Sequence, residues 1–166
     1  QCGLPVMSFP PSVSARCDDG QLIDMELANL QLALTKGIIP LVHGDVAFDN
    51  VRGGTIISTE AVFAFLALQL PVQQILLLGD VDGVYDFTRT VIPIITPVSY
   101  PDIVAALGGS AGTDVTGGML SKVQDALTLV QQVAGLEVRI MNGQHDDLLR
   151  KTLDRTEQPG TLIRAD

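Results

Sequence analysis

A chain of 166 residues with a formal charge of −9 is one domain or a large part of one, and its acidity argues against tracking nucleic-acid phosphates or docking on an anionic membrane. Hydrophobic residues make up 46% of it, aromatics only 4%, and tryptophan is absent. Its core must therefore be Leu, Ile, Val and Ala, which favours parallel α/β layers over a small β-barrel. No apolar run reaches about 18 residues, which excludes a uniformly apolar bilayer-spanning helix.

Val6 to Phe9 and Ser12 to Arg16 are short β-like runs separated by Pro10-Pro11, and Asp18-Asp19-Gly20 is a turn signal. From Asp24 to Lys36 the residues Met25, Leu27, Ala28, Leu30, Leu32 and Leu34 predict a mostly buried helix with Gly37 at its C′ position. Ile38 to Val42 predicts a buried strand that ends at His43-Gly44-Asp45. Val46 to Gly54 reads as a loop or hairpin. Thr55-Ile56-Ile57 leads to the N-cap region Ser58-Thr59-Glu60. Ala61 to Leu70 then predicts a helix apolar nearly all round, stopped by Pro71.

Gln74 to Leu78 predicts a further buried strand, closed by Gly79-Asp80-Val81-Asp82-Gly83-Val84-Tyr85-Asp86. Ile92 to Ile95 is interrupted by proline, as an edge segment would be. Asp102 to Leu107 predicts a short helix and Gly108 to Gly118 a Gly-rich loop. The helix Met119 to Ala134 follows, with Leu120, Val123, Leu127, Val130 and Ala134 at helical spacing. Glu137 to Met141 predicts a strand, Asn142-Gly143 a turn, Asp146 to Leu153 a helix and Thr161 to Ile163 a last strand. The alternation predicts an α/β chain with a largely parallel sheet, read as a single domain over 1–166. Open sheets of this kind place ligands at strand C-terminal ends, which here carry His43-Gly44-Asp45, Gly79-Asp80 and Asn142-Gly143.

The stretch Gly112 to Lys122 carries the strongest chemical signal. Gly117 and Gly118 allow backbone N–H groups to approach an anion closely, the helix start directs its positive dipole end there, and Lys122 adds a full charge in the first turn of the expected helix. A polyphosphate suits this arrangement; so does an ordinary helix start with a surface lysine. Cys2 and Cys17 show no metal or disulfide spacing and read as reduced thiols of a cytoplasmic protein.

Three segments together carry a resemblance: Pro40-Leu41-Val42-His43-Gly44-Asp45-Val46, Gly79-Asp80-Val81-Asp82-Gly83-Val84-Tyr85, and Thr113-Asp114-Val115-Thr116-Gly117-Gly118-Met119 with Lys122. They resemble the amino acid kinase superfamily and, within it, the isopentenyl phosphate kinases, over about Gly3 to Thr161. The resemblance implies a three-layer αβα sandwich with a mainly parallel sheet. It further implies ATP with Mg²⁺, phosphoryl transfer to the phosphate of isopentenyl phosphate, and a homodimer. By the same resemblance Lys122 matches the lysine that reaches the transferring phosphates. Gly118, with Gly117, lies along ATP. Asp80 belongs to the nucleotide site, and Tyr85 flanks the base.

Asp114 and Thr116 either touch ATP or only shape their loop through local side-chain bonds. On the acceptor side stand Gly44, Asp45 and Thr59; Asp45 and Asp82 would serve equally well as turn caps. Thr59 and Glu60 replace the glycine and aspartate of the usual Ser-Gly-Asp run, so Glu60 would orient the catalytic lysines on a longer arm. A Lys-x-Gly-Gly loop and a His-containing Gly-rich loop are not in the chain; His43 belongs to the first motif, and His145 reads as a surface residue at a helix start. The expectation is the C-terminal two-thirds of such a kinase, with its nucleotide half. A same-fold kinase for uridylate or a phosphonate, and a nucleotide-binding fragment without turnover, remain the alternatives.

Overall fold

A computed structural model describes residues 3–108 and 115–166. The chain forms two compact units, Gln1–Leu70 and Pro71–Asp166.

In the first unit, β1 (Val6–Ser8) pairs in parallel with β2 (Ile39–Leu41), and α1 (Ala28–Thr35) packs on β2. The run Ser12 to Arg16 is not a strand: Pro10-Pro11 starts a 3-10 turn over Pro11–Val13, because proline fixes φ and supplies no N–H to a ladder. Next come β3 (Arg16–Asp18) and β4 (Gln21–Asp24), joined by Asp19 and Gly20 with φ of 46° and 87°. Two central residues with positive φ make the hairpin turn whose twist suits antiparallel strands.

This pairing corrects the expected start of the first helix. Asp24 is held opposite Arg16 in the ladder, and α1 begins only at Ala28, where the Glu26 carboxylate accepts the Ala28 N–H at 2.6 Å. Gly37, φ 70°, ends it as expected.

The segment Val46 to Gly54 is a hairpin, β5 (Asp45–Asp49) and β6 (Gly53–Ile57), in a sheet ordered β4-β3-β5-β6. α2 (Thr59–Gln69) follows, with Val62, Leu66 and Ala67 buried. The core of this unit gathers Ala15, Cys17, Met25, Leu30, Ala47, Ile57, Val62 and Leu66. Alternation along the hairpin sends Ala47, Asp49 and Ile57 inward; Val46, Phe48 and Ile56 face out, the last two 78% and 80% exposed. The strand read as buried, β2, is not: Ile39 and Leu41 are 45% and 53% exposed. An apolar run specifies extended backbone, but burial depends on what packs over each face.

In the second unit, β7 (Gln74–Gly79), β8 (Ile94–Ile95), β9 (Glu137–Asn142) and β10 (Thr161–Arg164) form a sheet ordered β7-β9-β10-β8. β7 and β9 run parallel, with Gly79 opposite Asn142, and β9 and β10 antiparallel. Helices α3 (Tyr100–Gly108), α4 (Val115–Gln132) and α5 (Leu148–Leu153) complete it. α4 packs on β9 and β10 through Val123, Ala126, Leu127 and Val130, the spacing that makes one helical face. β9 lies inside the sheet, with Val138 to Met141 all buried. Each aliphatic chain removed from water there contributes about 1.5–3 kcal/mol.

Over both units the described strand pairings are mixed, four parallel and three antiparallel, across three sheets, where one largely parallel sheet was expected. The two tight hairpins supply two of the antiparallel ladders. None of the helices among the described residues is long and apolar enough to cross a membrane.

Candidate functional site

In the first unit the candidate residues meet where β2 passes into β5 beside the start of α2. Ser58 caps α2: its side chain accepts the Ala61 N–H at 3.0 Å. Thr59, the first helical residue, accepts the Gly44 N–H on its hydroxyl at 2.9 Å. A Cβ on Gly44 would stand 3.0 Å from the Ile57 carbonyl oxygen and 3.1 Å from the Thr59 nitrogen, so this approach favours glycine. Glu60 lies exposed in the same first turn. The structure thus brings Gly44, Thr59 and Glu60 to one helix N-terminus, where backbone donors and the helix dipole favour an anion.

Asp45 is engaged differently. Its carboxylate accepts N–H groups from Ser12 at 3.0 Å and Val46 at 2.8 Å, tying the 3-10 turn to β5. Hydrogen bonding from Ser12, then from Val46, holds its carboxyl below the usual range. Those are the contacts of a turn cap.

In the second unit Gly117 and Gly118 lie inside α4, not in a loop before it. Gly117 belongs to its first three residues, whose N–H groups have no partner within the helix, so its amide remains a donor for a different reason from the one expected; Gly118 is the fourth residue, the position at which the helical ladder begins, as at Val62 in α2. Around Gly118 a Cβ would meet nothing within 4 Å. Lys122 is not in the first turn: α4 starts at Val115, which places it about two turns further along, exposed beside buried Val123. Asp114 and the rest of the Gly-rich stretch from 109 lie outside the described residues.

Asp80 follows β7 and is exposed. Tyr85 is half-buried, bridged to Val91. Between them Asp82 forms a hub. Its Oδ1 accepts Asn142 Nδ2 at 2.9 Å, its Oδ2 accepts the Tyr85 hydroxyl at 3.1 Å, and His145 Nε2 stands 3.6 Å from Oδ1. The Asn142 and Tyr85 bonds, aided by His145, hold this carboxyl below its ordinary range against the opposing effect of burial. Asn142 also accepts the Gln144 N–H at 2.8 Å, and the Gly143 N–H reaches the Gly79 carbonyl at 2.8 Å. The C-terminal ends of parallel β7 and β9 are therefore stitched into one edge. Sequence reasoning had marked both strand ends but missed Asn142 and His145 as partners; the available signal was their place just after the strand adjoining β7.

Among the described residues, no group of three or more His, Cys, Asp or Glu side chains could hold a metal ion. Cys17 is fully buried, and burial, then the nearby Asp49 charge, pushes its thiol up, as in an inert structural cysteine.

Residues 3–142 match the family model described as the amino acid kinase family. The chain belongs to the amino acid kinase family. This family member is 37% identical over 163 residues to an isopentenyl phosphate kinase of Haloferax volcanii, a match covering 98% of the chain and 60% of that protein. It is 30% identical over 166 residues to the isopentenyl phosphate kinase of Methanothermobacter thermautotrophicus, covering 97% of the chain and 62% of the relative. A solved isopentenyl phosphate kinase structure superposes with a TM-score of 0.76 at 25% identity, over 97% of the chain and 60% of its own. The α/β fold is thus the amino acid kinase fold, and the chain spans about 60% of the length of the curated relatives it matches.

Proposed function

We propose that the whole protein transfers the terminal phosphoryl group of ATP to the phosphate of isopentenyl phosphate, giving isopentenyl diphosphate and ADP. The observation that carries this reading is the 37% identity to the Haloferax volcanii isopentenyl phosphate kinase across 98% of the chain. Phosphoryl transfer asks the protein to align donor and acceptor and to offset charge on the moving group, with little covalent chemistry of its own.

The described residues suit those tasks. Lys122 and the first amides of α4, Gly117 among them, would steady the donor phosphates, with the open face of Gly118 letting them come close. Asp80 and Tyr85 would border the nucleotide at the β7 edge, and an ATP contact by Asp114, outside the described residues, is part of the same reading. Gly44 and Thr59, at the α2 N-terminus, would border the acceptor phosphate, with Asp45 shaping that corner and Glu60 orienting a cation. An acceptor phosphate is already anionic at neutral pH, so Glu60 has no proton to remove. Mg²⁺ would enter on the nucleotide, held by its phosphates. A cytoplasmic homodimer is part of the same reading.

The test is turnover by the intact protein with Mg·ATP and isopentenyl phosphate, followed by ³¹P NMR for the diphosphate product, with uridylate and a phosphonate in parallel. Product from isopentenyl phosphate at least tenfold faster than from the others is expected. Preference for another acceptor would move the assignment within the fold. Nucleotide binding without turnover would favour a non-catalytic role.

A further inference from the structure

We propose that Asp82 is a positioning residue of the nucleotide site: its two carboxylate oxygens lock the Tyr85 side chain and the end of β9 into one rigid wall. The inference rests on the reading above, in which the β7 edge takes the nucleotide. Asp82 itself need not touch the ligand. Its oxygens are already divided between two partners, Asn142 on Oδ1 and Tyr85 on Oδ2.

Three features make the hub more than a surface turn. First, the Asp82–Asn142 bond spans 60 positions and joins the ends of two parallel strands, where an open α/β sheet places its ligand. Second, the Tyr85 hydroxyl donates to Asp82 Oδ2 at 3.1 Å and accepts the Asp82 N–H at 3.4 Å, so the half-buried ring is held at its tip by both the side chain and the backbone of Asp82. Third, the backbone beneath the hub is closely packed. A Cβ on Gly83 would stand 2.7 Å from Val91 Cγ1 and 2.8 Å from Thr161 Oγ1, and one on Gly160 would stand 3.1 Å from the Asp82 carbonyl oxygen. The Val84 N–H is bonded to the buried Thr161 hydroxyl at 2.8 Å. The turn that carries Asp82 is therefore held from below, which leaves the carboxylate to orient what lies above it. His145, 3.6 Å away, adds charge complementarity to the same oxygen when protonated.

The experiment compares the intact protein with Asp82→Asn and with the exchanged pair Asp82→Asn/Asn142→Asp. In the single variant one oxygen remains where two partners donate, so Asn142 and Tyr85 cannot both be served; in the pair the amide at 82 donates to the carboxylate at 142 and its oxygen accepts the Tyr85 hydroxyl. Binding of ATP and of magnesium tripolyphosphate, which has no base, is measured by calorimetry, together with the KM for ATP, kcat and the melting midpoint.

The expected result for Asp82→Asn is about tenfold weaker ATP binding and a similarly raised KM. Tripolyphosphate affinity and kcat should stay within about twofold, and the exchanged pair should recover most of the loss. Unchanged ATP affinity in Asp82→Asn would overturn the proposal, as would equal losses for ATP and tripolyphosphate or a failure of the pair to recover. If the unaltered protein binds no ATP, the nucleotide reading itself fails and this inference with it. Should Asp82→Asn melt far below the parent, Tyr85→Phe serves instead. It removes only the hydroxyl contact and must reproduce the base-dependent loss for the proposal to stand.

Discussion

The Asp49 carboxylate accepts the backbone N–H of Gly20 at 2.6 Å, across 29 positions, and so joins the turn of one hairpin to the turn of the next. The same carboxylate accepts the N–H groups of Val51 and Arg52, each at 2.8 Å. Asp49 is only 5% exposed, and burial by itself would raise its pKa. The bonds from Arg52, Gly20 and Val51 outweigh burial and hold the carboxyl below the usual range.

A pH dependence of stability follows. The folded value is depressed, so Asp49 contributes fully above the ordinary carboxylate pKa of about 3.9, and the contribution disappears as pH falls through the lower folded value. Urea midpoints of the parent and Asp49→Asn should differ most at neutral pH and converge below about pH 4. A gap that stays constant from neutral to acid would show that ionisation of Asp49 is not the source.

Lys122→Ala should lower kcat of the intact protein by about 10²–10³, the usual effect of removing a donor that stabilises transferring charge. The residue is exposed on α4 while its neighbour Val123 packs the core, so the melting midpoint should hardly move. Turnover within about threefold of the parent would remove Lys122 from the transfer machinery.

Ser58→Ala should destabilise the first unit by about 1 kcal/mol, because the cap on the Ala61 N–H is lost. Ser58→Asp, which keeps an acceptor there, should hold the loss to a few tenths. Thermal or urea unfolding checks both, and equal losses for the two variants would show that capping is not what Ser58 supplies.

Thr161→Val should be strongly destabilising for its size. The hydroxyl is fully buried and accepts the Val84 N–H at 2.8 Å, so its removal leaves a buried donor unpaired, at about 1–3 kcal/mol. Thr161→Ser keeps the acceptor and should lose less. Denaturant midpoints that rank serine below valine would contradict the hydrogen-bond explanation.

Features that depend on near neighbours were legible from the residues alone. Asp18-Asp19-Gly20 announced a turn, Gly37 a helix end, Ser58-Thr59-Glu60 a capped helix start, and the spacing of Val123, Leu127 and Val130 a single buried face on α4. Three ordered motifs were also enough to point to the amino acid kinase family.

The start of α1 was misplaced because Asp24 is claimed by a partner strand, and a ladder bond overrides local helix preference. β2 was read as buried because an apolar run looks the same whether or not anything packs over it. The Gly-rich stretch read as loop up to Gly118, although α4 already includes Val115 to Gly118; glycine is tolerated in the first turn of a helix, where the Gly117 N–H still has no helical partner.

The sequence by itself determined the helices, the strands of the second unit, many of their ends, and the family, since turn chemistry, capping and periodicity act over a few residues; it did not give the β3–β4 hairpin, whose strands are specified by their ladder partners. Only the tertiary structure decided that Asp82, Tyr85, Asn142 and His145 form one hub. Asp82 and Asn142 are 60 positions apart, and it is the parallel register of β7 and β9 that brings their strand ends side by side.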